Sequence, residues 1–213
     1  MEERMVKYFS KESNAVAIHA ANGHFATINS HINYYIDVTS LKSRVKEARE
    51  VAKLFRDKIT MPTYVDTIVC MDGTKMIGAF LAEEFEEHNY LSTNAHETIY
   101  VISPEEKESQ IILRDNNRGA VAGKHVVIMV ATSTTGDKIR RTMEAIRYYG
   151  GTVEAIASIF STFDEIDGME VQHIFDQRDL LGYAAYRREE CPYCKKGMKV
   201  EALVNGFGYS TIY

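Results

Sequence analysis

The sequence predicts an α/β fold, with a central, mostly parallel sheet and helices on both of its faces. Short β-rich runs alternate with helical patterns along the chain, the arrangement that places crossover helices over a parallel sheet. The run His125–Ala131 (HVVIMVA) is continuously apolar and largely β-branched, as a strand buried on both faces must be. Three prolines, no low-complexity tract and no internal repeat leave no visible linker, so residues 1–213 read as one domain.

In chain order, the first long helix is expected from about Leu41 to Lys58. Leu41, Val45, Ala48, Val51, Ala52 and Phe55 recur at spacings of three and four and form one apolar stripe, with Thr39 or Ser40 as cap. A strand is predicted at Thr67–Met71 (TIVCM), followed by a polar turn, Asp72–Lys75, and a helix over Met76–Glu87 with Ile77, Phe80, Leu81 and Phe85 inward. Thr98–Ile102 reads as the next strand, ended by Ser103-Pro104. The polar segment Glu105–Gly123 surrounds one short apolar run, Ile111–Leu113, and predicts a mobile hairpin or loop. After His125–Ala131 come the turn Thr132–Asp137 and a helix through Tyr149, lined by Ile139, Met143, Ile146 and Tyr149 and ended by Gly150-Gly151. Val153–Phe160 is a second buried strand, and Val171–Phe175 is expected at a sheet edge.

Composition narrows the function classes. With 45% hydrophobic and 26% charged residues, the chain is an ordinary globular one, and its 213 residues suffice for one sizeable core. A net charge of -5 argues against general nucleic-acid or membrane binding, which needs basic surfaces. It leaves room for a small anion held by backbone N–H groups and a lysine. The start, MEERMVKY, has no long apolar run, so neither a signal peptide nor a membrane span is expected. Three cysteines are too few for a disulfide scaffold, which fits a reducing cytosol.

The segment richest in chemistry is Thr132-Ser133-Thr134-Thr135-Gly136-Asp137-Lys138, between a buried strand and a helix. The first N–H groups of a helix lack intrahelical acceptors, and the helix dipole favours an anion there. Four hydroxyls add donors, Gly136 permits close backbone approach, and Lys138 offers a positive charge. The residues alone equally allow an ordinary capped βα loop with Lys138 in solvent.

The stretch HVVIMVATSTTGDKIRRTMEAIRYYGGTVEAIASIF resembles the motif of the type I phosphoribosyltransferases, in which an apolar strand leads into a TTGG-like or TAGT-like turn and then a helix. HINYYIDV (His31–Val38), DTIVCMDGTKMIGAFLAEEF (Asp66–Phe85) and ECPYCKKG (Glu190–Gly197) are similar, in the same order, to segments of orotate phosphoribosyltransferases. The resemblance implies that the Thr132–Lys138 turn holds the 5-phosphate of phosphoribosyl pyrophosphate (PRPP). It implies a pyrophosphate loop at Asp72, Gly73, Thr74 and Lys75, and places His31, Tyr34 and Tyr35 near the substrate. It further implies Mg2+ carried mainly by PRPP, a nucleobase or nucleotide partner with orotate foremost, a homodimer, and a cytoplasmic enzyme of pyrimidine biosynthesis. The core would span about 60–180, and a small hood would come from about 1–40 and 185–213.

The chain departs from this pattern in three places. The two acids that precede the turn in the family, and that engage the ribose hydroxyls, are replaced by Val130 and Ala131. Two lost charge-assisted hydrogen bonds, at about 1.5–3 kcal/mol each, are a defect of several orders of magnitude in binding or rate unless other groups substitute. The pyrophosphate loop carries Asp72, which repels pyrophosphate unless it turns away or meets Mg2+, and Lys75, which could neutralise an anion or sit in solvent. In the loop where the family has basic catalytic residues stand Lys107, ringed by Glu105, Glu106 and Glu108, and Arg114, the better placed of the two.

Cys191 and Cys194 form a single CxxC. Structural zinc needs four ligands, and neither a second pair nor an obvious histidine lies near in sequence, so no metal is assigned to protein side chains. Two such pairs could meet in a dimer. The aromatic end, Phe207 to Tyr213, is expected to pack over the site or at a subunit contact.

Overall fold

A computed structural model describes residues 2–60, 64–88, 90–107 and 110–212. The chain forms β1 (Val6–Phe9), β2 (Ala17–Ala26), β3 (His31–Asp37), α1 (Thr39–Ser43), α2 (Val45–Lys58), β4 (Thr67–Cys70) and α3 (Lys75–Glu87). Then follow β5 (Tyr100–Ile102), β6 (Glu105–Lys107), β7 (Gln110–Ile112), α4 (Asp115–Arg118), β8 (His125–Ser133), α5 (Asp137–Tyr148), β9 (Thr152–Ser161), β10 (Glu165–Ile166) and β11 (Met169–Asp176). The C-terminal part adds β12 (Ala185–Tyr186), α6 (Pro192–Lys195), β13 (Ala202–Asn205) and β14 (Gly208–Thr211).

The core sheet has the order β10-β11-β9-β8-β4-β5. All its pairings are parallel except the two-residue β10, which runs antiparallel to β11. β11 was expected at the edge and lies one strand in, because β10 covers it. Alternation along β8 shows how the faces are used. Val127, Met129 and Ala131 join the cluster containing α2 and α3 residues such as Phe55 and Leu81, while Val126, Ile128 and Val130 join Ile139, Met143 and Ile146 of α5. Helices therefore cover both faces, and the continuous apolar run in β8 is explained. The helix expected from Leu41 breaks at Arg44, whose extended backbone (φ -109°, ψ 126°) separates α1 from α2.

The N- and C-terminal segments form more than a small hood. β1, β2, β3, β12, β13 and β14 make a second six-stranded sheet, in which β13 lies parallel beside β2. The segment read as a hairpin or loop contains the β6–β7 hairpin and also α4. No helix among the described residues is long and apolar enough to cross a membrane.

At the end of β4, Cys70 is buried, and burial pushes its thiol up to about 12, so it behaves as a small apolar side chain. The fully buried Asp66 at the start of β4 is a different case. Its carboxylate accepts from Ser92 Oγ (3.1 Å), Thr93 Oγ1 (2.9 Å), Thr93 N and His125 N (2.8 Å), tying the loop before β5 and the start of β8 to β4. Burial alone raises a carboxyl pKa, but these four donors outweigh it and hold Asp66 below the ordinary range. Asp66→Asn places an amide against donors it cannot accept from equally, and the expected loss is about 2–4 kcal/mol in urea unfolding at neutral pH. Because the folded pKa is depressed, this stabilisation is complete above the unfolded value near pH 3.9 and fades as pH falls through the native value. The gap between wild type and variant is therefore expected to close in acid; a gap independent of pH down to acid unfolding would contradict the assignment.

Candidate active site

Parallel pairing of β4 with β8 brings the turns after both strands to the same, carboxyl, end of the core sheet. Between that edge and the hood sheet lies a cavity of about 440 Å3. Its floor is the end of β8 and the turn after it, with Thr132, Ser133, Thr134, Thr135 and Gly136 all in the wall, joined by Lys138 and Arg141 from the first turns of α5. Gly136 sits in the left-handed region (φ +79°), and a Cβ there would come within 2.6 Å of Ile166, so only glycine closes this turn without strain. The roof comes from the hood: Ile28, Ile32, Tyr35 and Ile36 from the β2–β3 region, Tyr183, and Val204 and Phe207 from the β13–β14 hairpin.

The structure sorts the residues singled out in the sequence. Asp137 is the one member of the turn outside the cavity wall. Its carboxylate accepts from Thr135 Oγ1 (2.9 Å) and from Asn29 Nδ2 (3.2 Å), fastening the turn to the hood. In the loop after β4 only Asp72 reaches the cavity. Thr74 is buried and donates to the carbonyls of Met71 (2.7 Å) and Met129 (3.2 Å), while Gly73 and Lys75 are exposed outside it. Tyr35 lines the cavity, whereas Tyr34 donates to Leu181 O (3.0 Å). His31 is absent from the wall and is buried against His24 and Cys194 instead.

Neither Lys107 nor Arg114 lines the cavity. Lys107 is exposed, and Arg114 pairs with Glu105 through Nε (2.8 Å) and a guanidinium nitrogen. Glu108 lies outside the described residues. A cation in the wall that the sequence did not single out is Arg141, which the helical pattern of α5 had hidden among surface charges. Arg141 approaches Glu106 of β6 at 3.6 Å, and its Nε is buried with no hydrogen-bond partner among the described residues. Tyr183 also lines the wall, and its OH is likewise buried and without a partner among the described residues. Both residues line the cavity, but these two polar atoms lie behind its surface, and leaving them unsatisfied is costly.

Electrostatics in the cavity are dominated by paired charges. Lys138 Nζ contacts Asp72 Oδ1 and lies 3.2 Å from Glu106 Oε2. Burial opposes the charge on Lys138, but the two carboxylates more than offset it and raise its pKa. Asp72 takes up a left-handed backbone (φ 54°), and Lys42 holds it there by donating to Asp72 O (2.7 Å) and to Gly206 O. For Lys42 burial prevails over its acidic neighbours and lowers the pKa. The oxygen donors that a hard cation such as Mg2+ could use are Asp72 and Glu106, both engaged by Lys138.

Val130 and Ala131, at the positions of the missing acids, are buried in the two hydrophobic clusters and line no part of the cavity. An acid placed at either position would be a buried charge among aliphatic neighbours, so restoring the pair would damage the core before it aided a ligand.

This architecture is the type I phosphoribosyltransferase fold. Orotate phosphoribosyltransferase from Aeropyrum pernix superposes with a TM-score of 0.54 at 17% identity, covering 76% of this chain and 90% of that one. Adenine phosphoribosyltransferase from Thermoanaerobacter pseudethanolicus gives 0.50 at 15% identity over 82% and 96%. In sequence, the chain is 31% identical over 77 residues to an orotate phosphoribosyltransferase from Caldanaerobacter subterraneus, a match spanning 36% of this chain and 39% of that relative. No family model matches the chain.

Glu106 competes for the two cations that an anionic ligand would use. Glu106→Gln is expected to tighten binding of inorganic phosphate or ribose 5-phosphate by about 3- to 10-fold, near 1 kcal/mol, measured by calorimetry. Unchanged or weaker binding would remove Glu106 as a competitor.

Proposed function

We propose that this protein is a phosphoribosyltransferase that uses PRPP and an acceptor base, with orotate as the acceptor. The observation that carries the reading is the convergence of the hydroxyl-rich turn, Lys138 and Arg141 on the floor of a cavity with an apolar, aromatic roof. A ligand that fits such a site has an anionic end and a flat, partly apolar end, and the volume suits a ligand of that size. In this reading Thr134, Thr135 and Gly136 surround the 5-phosphate at the start of α5, and the base lies under Tyr35 and Phe207. Asp72 and Glu106 would hold Mg2+ once the charge of pyrophosphate drew Lys138 and Arg141 away from them, and the ion would neutralise charge on the leaving group. Thr132 and Ser133, next to the phosphate turn, stand in for the acids as partners of the ribose hydroxyls. Displacement of pyrophosphate by a ring nitrogen then depends on positioning two charged ends and screening the charge that develops. The resemblance in sequence supports orotate, a homodimer and a cytoplasmic enzyme, which complete the proposal.

Burial of Val130 and Ala131 favours a second reading, in which the same site binds a phosphoribosyl ligand or nucleotide without turnover, as a sensor or partner subunit.

Titration of PRPP with Mg2+ into the purified protein, followed by measurement of orotate loss in the same sample, decides between them. Saturable binding with orotate consumption is the expected result. Binding without turnover of orotate or another base supports the second reading. Absence of binding by PRPP, ribose 5-phosphate and nucleoside monophosphates alike would sink both. Tyr183→Phe removes a buried hydroxyl that has no partner among the described residues, so it is expected to hold or raise the thermal midpoint, by a few degrees at most, in thermal denaturation.

A further inference from the structure

Within the hood, away from the residues that line the cavity, four metal-ligating atoms converge. They belong to His24, His31, Cys191 and Cys194 and lie within 4.8 Å of one another. His24 Nε2 is 3.0 Å from His31 Nδ1, 3.5 Å from Cys191 Sγ and 3.6 Å from Cys194 Sγ, while Cys194 Sγ is 3.2 Å from His31 Nδ1. A tetrahedral zinc site with Zn–N of about 2.0–2.1 Å and Zn–S of about 2.3 Å has edges of about 3.3 Å between nitrogens and about 3.6 Å between nitrogen and sulfur. The four separations match those edges to within a few tenths of an ångström. We propose that this cluster is a structural Cys2His2 zinc site that staples the hood sheet.

Hydrogen bonding by itself does not account for the arrangement. His24 Nδ1 faces two carbonyl oxygens, Met198 O at 3.1 Å and Lys199 O at 3.2 Å, which can only accept. Nδ1 therefore carries the proton, and neutral His24 presents a single lone pair at Nε2. Three neighbours, His31 Nδ1 and two sulfurs, crowd that one acceptor. A central cation uses all four lone pairs at once, and the carbonyls on Nδ1–H orient the ring as partners of zinc-bound histidines commonly do.

Local structure explains how the ligands reach one point. The β2–β3 pairing shifts register between Asn22 and Phe25, and this bulge re-aims His24. His31 enters at the start of β3, opposite Ala26. Cys191 precedes α6 and Cys194 lies within it, after which Gly197, at φ +70°, turns the chain so that the Met198 and Lys199 carbonyls meet His24. His24, His31 and Cys191 are buried, and Cys194 is the exposed member through which a metal can enter. Tyr193 stacks on the His24 ring at 5.4 Å. The staple joins β2 and β3 to the segment leading into β13, whose hairpin roofs the cavity.

The test uses the full chain expressed with zinc and then dialysed. Elemental analysis is expected to find about one zinc per chain, and Cys194→Ser and His31→Asn are each expected to lose most of it. Chelation should lower the thermal midpoint of the wild type and not that of Cys194→Ser. Should either variant fail to fold, Co2+ titrated into chelated wild type gives an independent readout, with thiolate-to-metal charge transfer and the strong visible bands of tetrahedral Co2+ expected at one equivalent. A wild-type protein that holds no zinc, shows no such Co2+ spectrum and keeps its thermal midpoint on chelation would overturn the proposal. Zinc undiminished in both folded variants would do the same.

Discussion

The molecule is organised around β8. It is hydrogen-bonded in parallel to β4 on one side and to β9 on the other, and its side chains are buried on both faces nearly to its end. A strand in that position has no freedom of register, because a one-residue slip would exchange the side chains that face α2 and α3 with those that face α5. The end of β8 is therefore fixed in space, and with it the turn at Thr132–Gly136. The same pairing fixes the turn after β4, so Asp72 and Lys138 meet although 66 residues separate them. Asp66 reinforces the arrangement at the opposite end of the sheet by binding His125 N at the first residue of β8.

The cavity's electrostatics follow from burial. A lysine in a half-enclosed site is held charged only if carboxylates compensate its desolvation, and Asp72 and Glu106 do so for Lys138. The acids that neutralise the floor thus come from the β4 turn and the β6–β7 hairpin rather than from the strand itself. This explains how Val130 and Ala131 can be core residues without leaving the site free of carboxylates. It also couples the hairpin to the floor, because Glu106 touches both Lys138 and Arg141.

The hood is assembled from the two ends of the chain, which meet where β13 lies beside β2. Few contacts of local origin hold such a junction, and the pieces that bind it are long-range. They are Lys42 bridging Asp72 to Gly206, Glu201 accepting from His24 N while pairing with Arg4, and the His24–His31–Cys191–Cys194 cluster. Since the roof of the cavity is built from these same segments, whatever fastens the hood also shapes the ligand site.

Sequence alone determined the elements of the core and the location of the Ser/Thr/Gly turn after β8. β4, β8, β9, α3 and α5 were legible to within a residue or two at each end because burial imprints a period on neighbouring residues, and a Ser/Thr/Gly turn after a buried strand is a local signal. The break at Arg44, the six-stranded hood and the inward position of β11 were not legible, since each depends on what packs against the segment. Tertiary structure alone decided which polar residues share a site. Arg141 and Tyr183 entered the cavity wall, Lys107 and Arg114 stayed out of it, and His31 turned from the expected ligand to Cys194, 163 residues away. A single polar side chain leaves no periodic trace of its partner, so these meetings are written only in the pairing of distant strands.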